Sequence, residues 1–136
     1  MGAKLVPTDA SGVRALFQAA ARNEMIGILP DQDPGAQGGV FAPFFGLQTN
    51  TMTLLPRLMQ KTGATVIISY AQRLPRGQGF HLHFVPLPAV SDPDDIQAIA
   101  TALNQGVEEC IRQSPAQYQW SYKRFKTRPA GEVGFY

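Results

Sequence analysis

Ile28-Leu29-Pro30-Asp31-Gln32-Asp33-Pro34-Gly35 and, shortly after it, Val40-Phe41-Ala42-Pro43-Phe44-Phe45-Gly46 form the stretch from which the fold is read. The apolar residues from Met25 to Leu29 predict a short strand. Pro30, Pro34, Gly35 and Gly38 then interrupt any regular element, so Pro30 to Gly39 is read as a loop. Val40 to Phe45 is read as extended, since Pro43 and the flanking glycines do not suit ordinary helix. Asp31, Gln32 and Asp33 thereby fall at the C-terminal end of a strand, where open α/β sheets place ligands.

Upstream, Ser11 is placed to cap a helix over about residues 12–23, with Val13, Leu16, Phe17 and Ala20 on one face. Downstream, Thr51 to Thr62 predicts a helix whose apolar side is Leu54, Leu55, Leu58 and Met59. Pro56 must then sit in or near its first turn, and Gly63 suits its stop. Ala64 to Tyr70 is β-branched and almost uninterrupted apolar, which predicts a strand buried on both faces. Leu74 to Gly79 turns the chain into a second strand, Phe80 to Val85. Period-2 alternation puts Phe80, Leu82 and Phe84 on one face and His81, His83 and Val85 on the other. Asp92 followed by Pro93 predicts a helix start, with Ile96, Ile99, Leu103, Val107, Cys110 and Ile111 as the core stripe. Pro115 opens a further turn. This order predicts an α/β fold: a partial mixed sheet, parallel in part and ending in a hairpin, flanked by helices. Residues 1–128 are read as one domain portion and 129–136 as a flexible tail.

The balance of 12 Lys and Arg against 10 Asp and Glu is only mildly basic, so overall charge does not announce a nucleic-acid binder. Cys110 lies on the apolar stripe, which reads as a small core residue rather than a nucleophile. One cysteine allows no disulfide framework, and a cytoplasmic compartment fits. There is no signal-length apolar run, and nothing approaches the roughly 20 apolar residues of a spanning helix.

Three constellations are candidates for chemistry. His81 and His83 alternate on a strand without a third ligand at metal spacing, so a partly exposed strand face outweighs a metal pair. Asp31-Gln32-Asp33 suits either a divalent ion or cationic partner, or an Asp-rich turn that Pro34-Gly35 completes with side-chain to backbone bonds; residue types leave these open. Tyr118 to Arg128 alternates aromatics with Lys123, Arg124, Lys126 and Arg128. That composition suits phosphates at a lipid interface or single-stranded nucleic acid, and equally a solvated basic edge with its aromatics in the core. Nucleophile-elbow and phosphate-loop motifs are absent.

Assembled, these residues resemble the bacterial lipid A biosynthesis acyltransferases, the late lauroyl/myristoyl transferases of the lysophospholipid acyltransferase superfamily. The blocks are Gly27 to Gly35, Gly39 to Gly46, Thr51 to Leu58 with Lys61 to Ala64, and Pro115 to Tyr118 through Trp120 to Pro129. The resemblance is to the C-terminal half only, and it implies the corresponding half of a glycerol-3-phosphate acyltransferase-like fold. It also implies transfer of a fatty acyl group from acyl carrier protein to a hydroxyl of a lipid A precursor, with no metal or redox cofactor beyond the acyl thioester. In the family a His, four residues, acid motif supplies the general base. Here Pro86 follows His81 by five and Pro88 follows His83 by five, so no catalytic residue is assigned. Asp31, Gln32 and Asp33 would stand at the substrate loop, and Phe44, Phe45 and Gly46 would shape the pocket. Arg73, Arg124, Lys126 and Arg128 would meet acceptor phosphates or anionic headgroups. The partners implied are the lipid A precursor, acyl carrier protein and the anionic cytoplasmic face of the bacterial inner membrane, bound peripherally, together with an N-terminal half or a second copy. Nucleic acid is not implied. The rival readings are a non-catalytic module for anionic lipid or nucleic acid, and an inactive gene fragment whose exposed sheet aggregates.

Overall fold

In the computed structural model, which describes residues 2–36 and 38–136, three helices alternate with two β-hairpins. Helix α1 (Ala10–Ala21) is capped by Asp9, two residues before Ser11. The Asp9 carboxylate accepts the Ser11 and Gly12 N–H groups at 2.8 and 3.1 Å, which satisfies donors that the helix itself leaves free. Strand β1 (Gly39–Phe44) and strand β2 (Leu47–Met52) are joined by Phe45 and Gly46, both with positive φ, 49° and 79°. Such a two-residue turn matches the natural twist of a hairpin. Helix α2 (Leu54–Thr62) follows and ends at Gly63 in the left-handed region, as the sequence predicts. Strand β3 (Ile67–Arg73) pairs with β4 (Phe80–Pro86), and helix α3 (Ile96–Gln113) packs on both hairpins.

The α/β class is observed, with helices against short sheets. The pairing differs from expectation: both ladders, β1–β2 and β3–β4, are antiparallel, and no parallel pair occurs among the described residues. Met25 to Leu29 forms no strand; Met25 is fully exposed and Leu29 mostly so. An apolar run this short needs a strand to take its backbone groups, and among the described residues none pairs with it. Strand β2 takes Thr51 and Met52, which the sequence pattern places at the start of the helix. Its Thr49, Asn50 and Thr51 are buried polar residues whose side chains bond backbone, so polarity hides a strand. Gln37, within the expected loop, lies outside the described residues.

The α3 stripe is buried as expected at Ile99, Leu103, Val107, Cys110 and Ile111, although Asp95 rather than Asp92 caps the helix. At Gly106 the helix comes so close to β3 that a Cβ would stand 2.2 Å from Ile68 Cδ1. Burial pushes the Cys110 thiol pKa up, with the Glu109 charge adding to it. A thiol held protonated is a poor nucleophile. Cys110 should therefore fail to react with iodoacetamide at pH 8 in the native chain and react fully in denaturant; rapid native labelling would contradict its place in the core.

Candidate functional site

The site loop divides into residues with separate tasks. Asp33 is buried. Its Oδ1 accepts Gly35 N–H at 2.8 Å and the Asn50 amide at 3.3 Å, and its Oδ2 accepts Thr127 N–H at 3.3 Å. The Asp33 N–H in turn donates to the Tyr122 hydroxyl at 2.9 Å. The turn that Pro34-Gly35 completes is thus formed, and it also fastens the loop to β2 and to the C-terminal segment. Gln32 is exposed. Asp31 is the loop acid that faces a groove.

That groove, about 510 Å³, runs between Gly27 to Asp31 on one side and Ile68 to Ala71 of β3 on the other. Val107, Cys110 and Ile111 of α3 supply its apolar wall, and Tyr118 stands near Asp31. Burial, then the charge of Asp31 and a hydrogen bond to it, push the Tyr118 phenol pKa well above its ordinary value. The phenol is a proton donor at neutral pH and stays protonated. A largely apolar cleft with a few polar groups is the usual form of a small-molecule site, and this volume falls in the common range of about 300–1,000 Å³.

Phe44, Phe45 and Gly46 do not line the groove. The Phe44 ring is buried against Val107 and Ile111 and so backs the α3 wall from the far side. Phe45 lies edge-on to it at 4.9 Å and reaches Trp120 at 5.9 Å. Its unusual positive φ is pinned by Glu108, whose Oε1 accepts Phe45 N–H at 2.7 Å while Oε2 accepts from Arg112 at 2.8 Å. Gly46 is exposed at the turn, where its conformational freedom is used.

The basic residues are likewise dispersed. Arg124 is buried at 2% exposure; its guanidinium donates to Asn50 O at 2.6 Å and to Thr51 Oγ1 at 3.1 Å, over the Phe44 ring. Burial lowers its pKa, opposed by Tyr118, Asp33 and Asp31. Asn50 therefore bridges Arg124 and Asp33. The headgroup contact expected of Arg124 is corrected to an internal strut, because its charge is enclosed. Arg128 donates to Gln48 O at 2.7 Å, pairs with Glu132 and lies over Phe135, so its side chain is also engaged within the molecule. Lys126 is exposed. Arg73 is exposed beside a second depression, of about 770 Å³, that also borders Phe80 and Gln117, and its backbone N–H and C=O bond the Gln117 amide at 2.8 and 3.1 Å. Trp120 donates its ring N–H to Pro115 O at 2.7 Å and packs edge-on to Tyr118 at 4.9 Å. Much of the aromatic and cationic run is spent on internal contacts.

The histidines lie outside the groove lining. The His83 ring stacks on Tyr70 at 4.5 Å and bonds Gln72 at 2.9 Å, and His81 is exposed. Among the described residues no group of three or more His, Cys, Asp or Glu is placed to hold a metal ion, and no helix is long and apolar enough to cross a membrane. Residues that single-sequence reading overlooked are Asn50, Thr51 and Asn104. Asn104 carried a signal: it is polar, yet it sits beside Leu103 and Val107 on the buried side of α3.

Compared with known proteins, residues 1–127 match the family model described as bacterial lipid A biosynthesis acyltransferase. The chain is 36% identical over 125 residues to the lipid A biosynthesis lauroyltransferase of Escherichia coli (strain K12), covering 90% of this chain and 40% of that protein. It is 35% identical over 130 residues to the palmitoleoyltransferase of the same strain, covering 93% and 41%. Identity to that strain's myristoyltransferase is 30% over 124 residues, covering 90% and 38%. The chain thus spans about two fifths of the length of the curated relatives it matches.

Proposed function

As the chain belongs to the bacterial lipid A biosynthesis acyltransferase family, we propose that it forms the acyl-holding part of an enzyme that moves a fatty acyl group from acyl carrier protein to a hydroxyl of a lipid A precursor. The observation that carries this reading is the groove: apolar walls from Ile68, Val107, Cys110 and Ile111, with polar groups from Asp31, Ser69, Tyr70, Gln117 and Tyr118 among its lining. A saturated chain gains by leaving water along such walls, about 0.8 kcal/mol per buried CH₂. The carboxylate of Asp31, which takes the Tyr118 O–H, has further lone pairs to accept from the polar end of the ligand.

In the reaction the acceptor hydroxyl oxygen attacks the thioester carbon, the C–S bond breaks as the C–O bond forms, and the hydroxyl proton ends on the carrier thiol. No metal or redox cofactor is needed, since the thioester is the activated species. The base that takes the hydroxyl proton belongs to the family's His, four residues, acid motif, which this sequence does not contain. This chain therefore contributes binding and orientation. Exposed Lys126 and Arg73 remain as surface cations for phosphates of the precursor or of the inner membrane's cytoplasmic face.

A fluorescent fatty acid should bind the purified chain and be displaced by lauric acid. Ala71→Phe, at an exposed position of the groove wall, should weaken that binding about tenfold, worth roughly 1.4 kcal/mol, with little change in Tm. Unchanged affinity in this variant would place the acyl chain elsewhere. Mixed with acyl carrier protein thioester and lipid A precursor, the chain alone should give no ester product; measurable turnover would show that it holds its own base.

A further inference from the structure

Residues 129–136 fold back on the basic run that precedes them. The Glu132 N–H donates to Pro129 O at 3.1 Å, in a turn where Gly131 has a positive φ of 86°. Beyond that turn Phe135 lies edge-on to Phe125 at 5.9 Å and beneath the Arg128 guanidinium at 4.6 Å, and Tyr136 lies under Lys123 at 5.5 Å. Glu132, the only charged residue of this strap, pairs with Arg128, whose side chain is left only 8% exposed. A guanidinium presents its Nε and Nη2 groups side by side, the edge that takes two oxygens of a carboxylate or phosphate at once. In Arg128 that edge is half used. Nη2 donates to Glu132 Oε2, Nη1 is occupied by Gln48 O at 2.7 Å, and the buried Nε has no hydrogen-bond partner among the described residues. A buried donor without a partner is costly, so the edge favours a ligand with an oxygen for each position. The carboxylate now there is lightly held: Glu132 is 44% exposed, Phe135 53% and Tyr136 63%. An ion pair with one partner this open to water contributes little.

We propose that the Nε–Nη2 edge of Arg128 is a site for a phosphate monoester or inorganic phosphate, and that residues 129–136 are a strap that closes it, with the Glu132 carboxylate in the place of the phosphate. A phosphate brings about two negative charges and three acceptor oxygens, enough to meet Nη2 and Nε together. The Glu132 carboxylate brings one charge and meets only Nη2. Lys123 and Lys126 stand in the same segment to balance the second charge, and lifting the strap releases Lys123 from the Tyr136 ring. The ligand is the free anion or a lipid headgroup that ends in a phosphate monoester, and either one must displace Glu132. None of these residues lines the groove, so the site is independent of acyl binding.

The test titrates inorganic phosphate into the isotope-labelled full chain and follows the Arg128 Nε–H signal together with exchange of the Glu132 amide. A tethered competitor acts at an effective concentration in the millimolar range, so Glu132→Gln should tighten phosphate binding by about tenfold or more. In the parent, saturation with phosphate should speed exchange of the Glu132 amide as the strap lifts. Adding Arg128→Gln should abolish the gain. If that variant does not fold, Arg128→Lys keeps the charge without the side-on edge and should abolish the gain as well. A Glu132→Gln chain that binds phosphate no better than the parent, or a gain that survives removal of the guanidinium, would overturn the proposal. Flotation with phosphatidylcholine vesicles separates the two sources of ligand. A Glu132→Gln chain that prefers phosphatidic acid to phosphatidylglycerol at equal vesicle charge, and that inorganic phosphate competes off, reads a monoester headgroup. Tight phosphate binding without that preference assigns the site to the free anion. Equal flotation on both lipids with no response to phosphate would mean that charge alone is read, and would also overturn the proposal.

Discussion

Arg124→Ala is expected to destabilise the chain by about 3–4 kcal/mol, as measured by urea unfolding. The substitution removes two charge-assisted hydrogen bonds, to Asn50 O and Thr51 Oγ1, and the packing of the guanidinium on Phe44. It also leaves the Asn50 carbonyl buried without that donor and withdraws a positive charge that interacts with buried Asp33. Arg124→Met separates these contributions. Burying a guanidinium is expensive in itself, and its Nε has no hydrogen-bond partner, so an apolar side chain of similar length should recover part of the loss. A loss below about 1 kcal/mol for the alanine variant would mean that the guanidinium is not a strut, and would return it to the pool of residues available to a phosphate.

The second large effect is expected at Asn104. Its amide nitrogen donates to Pro43 O at 3.0 Å and Thr51 Oγ1 at 2.9 Å, with Ala42 O at 3.4 Å, and the residue is only 2% exposed. Asn104→Asp turns a donor into a carboxylate facing three oxygens without changing shape. The cost at pH 7 should be about 3–5 kcal/mol. The carboxylate fits only when protonated, so its native-state pKa must rise above the unfolded value of about 3.9. The native state then binds the extra proton, and the variant should regain stability as pH falls toward 4 while the parent does not. A variant whose deficit is the same at pH 7 and pH 4.5 would show that the carboxylate has found water. Asn104 and Arg124 meet at the same hydroxyl, Thr51 Oγ1, which itself donates to Thr49 O at 3.0 Å. Losses at the two sites should not add, and the coupling is measurable in a double-mutant cycle.

Features governed by local periodicity were readable without the structure. The α3 stripe is one, the Gly63 stop another, and the alternation of Phe80, Leu82 and Phe84 against His81 and His83 a third. Each depends on neighbours a few residues away, which is what a pattern reports. Strand β2 failed because Thr49, Asn50 and Thr51 look solvent-facing until α3, the Asp33 loop and Arg124 are brought to them from distant parts of the chain. The Met25 to Leu29 segment shows the converse: its composition suits β structure, but among the described residues no strand pairs with it. The same limit applied at the site. Asp31 and Asp33 are indistinguishable as residue types, and only their surroundings make one a groove acid and the other a clamp. The cluster of four cations read as a surface because enclosure of Arg124 is decided by Phe44 and Asn50, more than seventy positions earlier.

The clamp on Asp33 has a temporal side. Its partners Tyr122 and Thr127 lie 89 and 94 positions further along the chain. At a ribosomal pace of about 5–20 residues per second, they are made roughly 5–20 s after Asp33 itself. Throughout that interval the Gly27 to Asp31 side of the groove has nothing to tie it to the C-terminal segment. The helices and hairpins, whose partners are close in sequence, can form early, but the ligand cleft is assembled among the last parts of the molecule. A nascent chain released before Tyr122 would have most of its secondary structure and no anchored cleft.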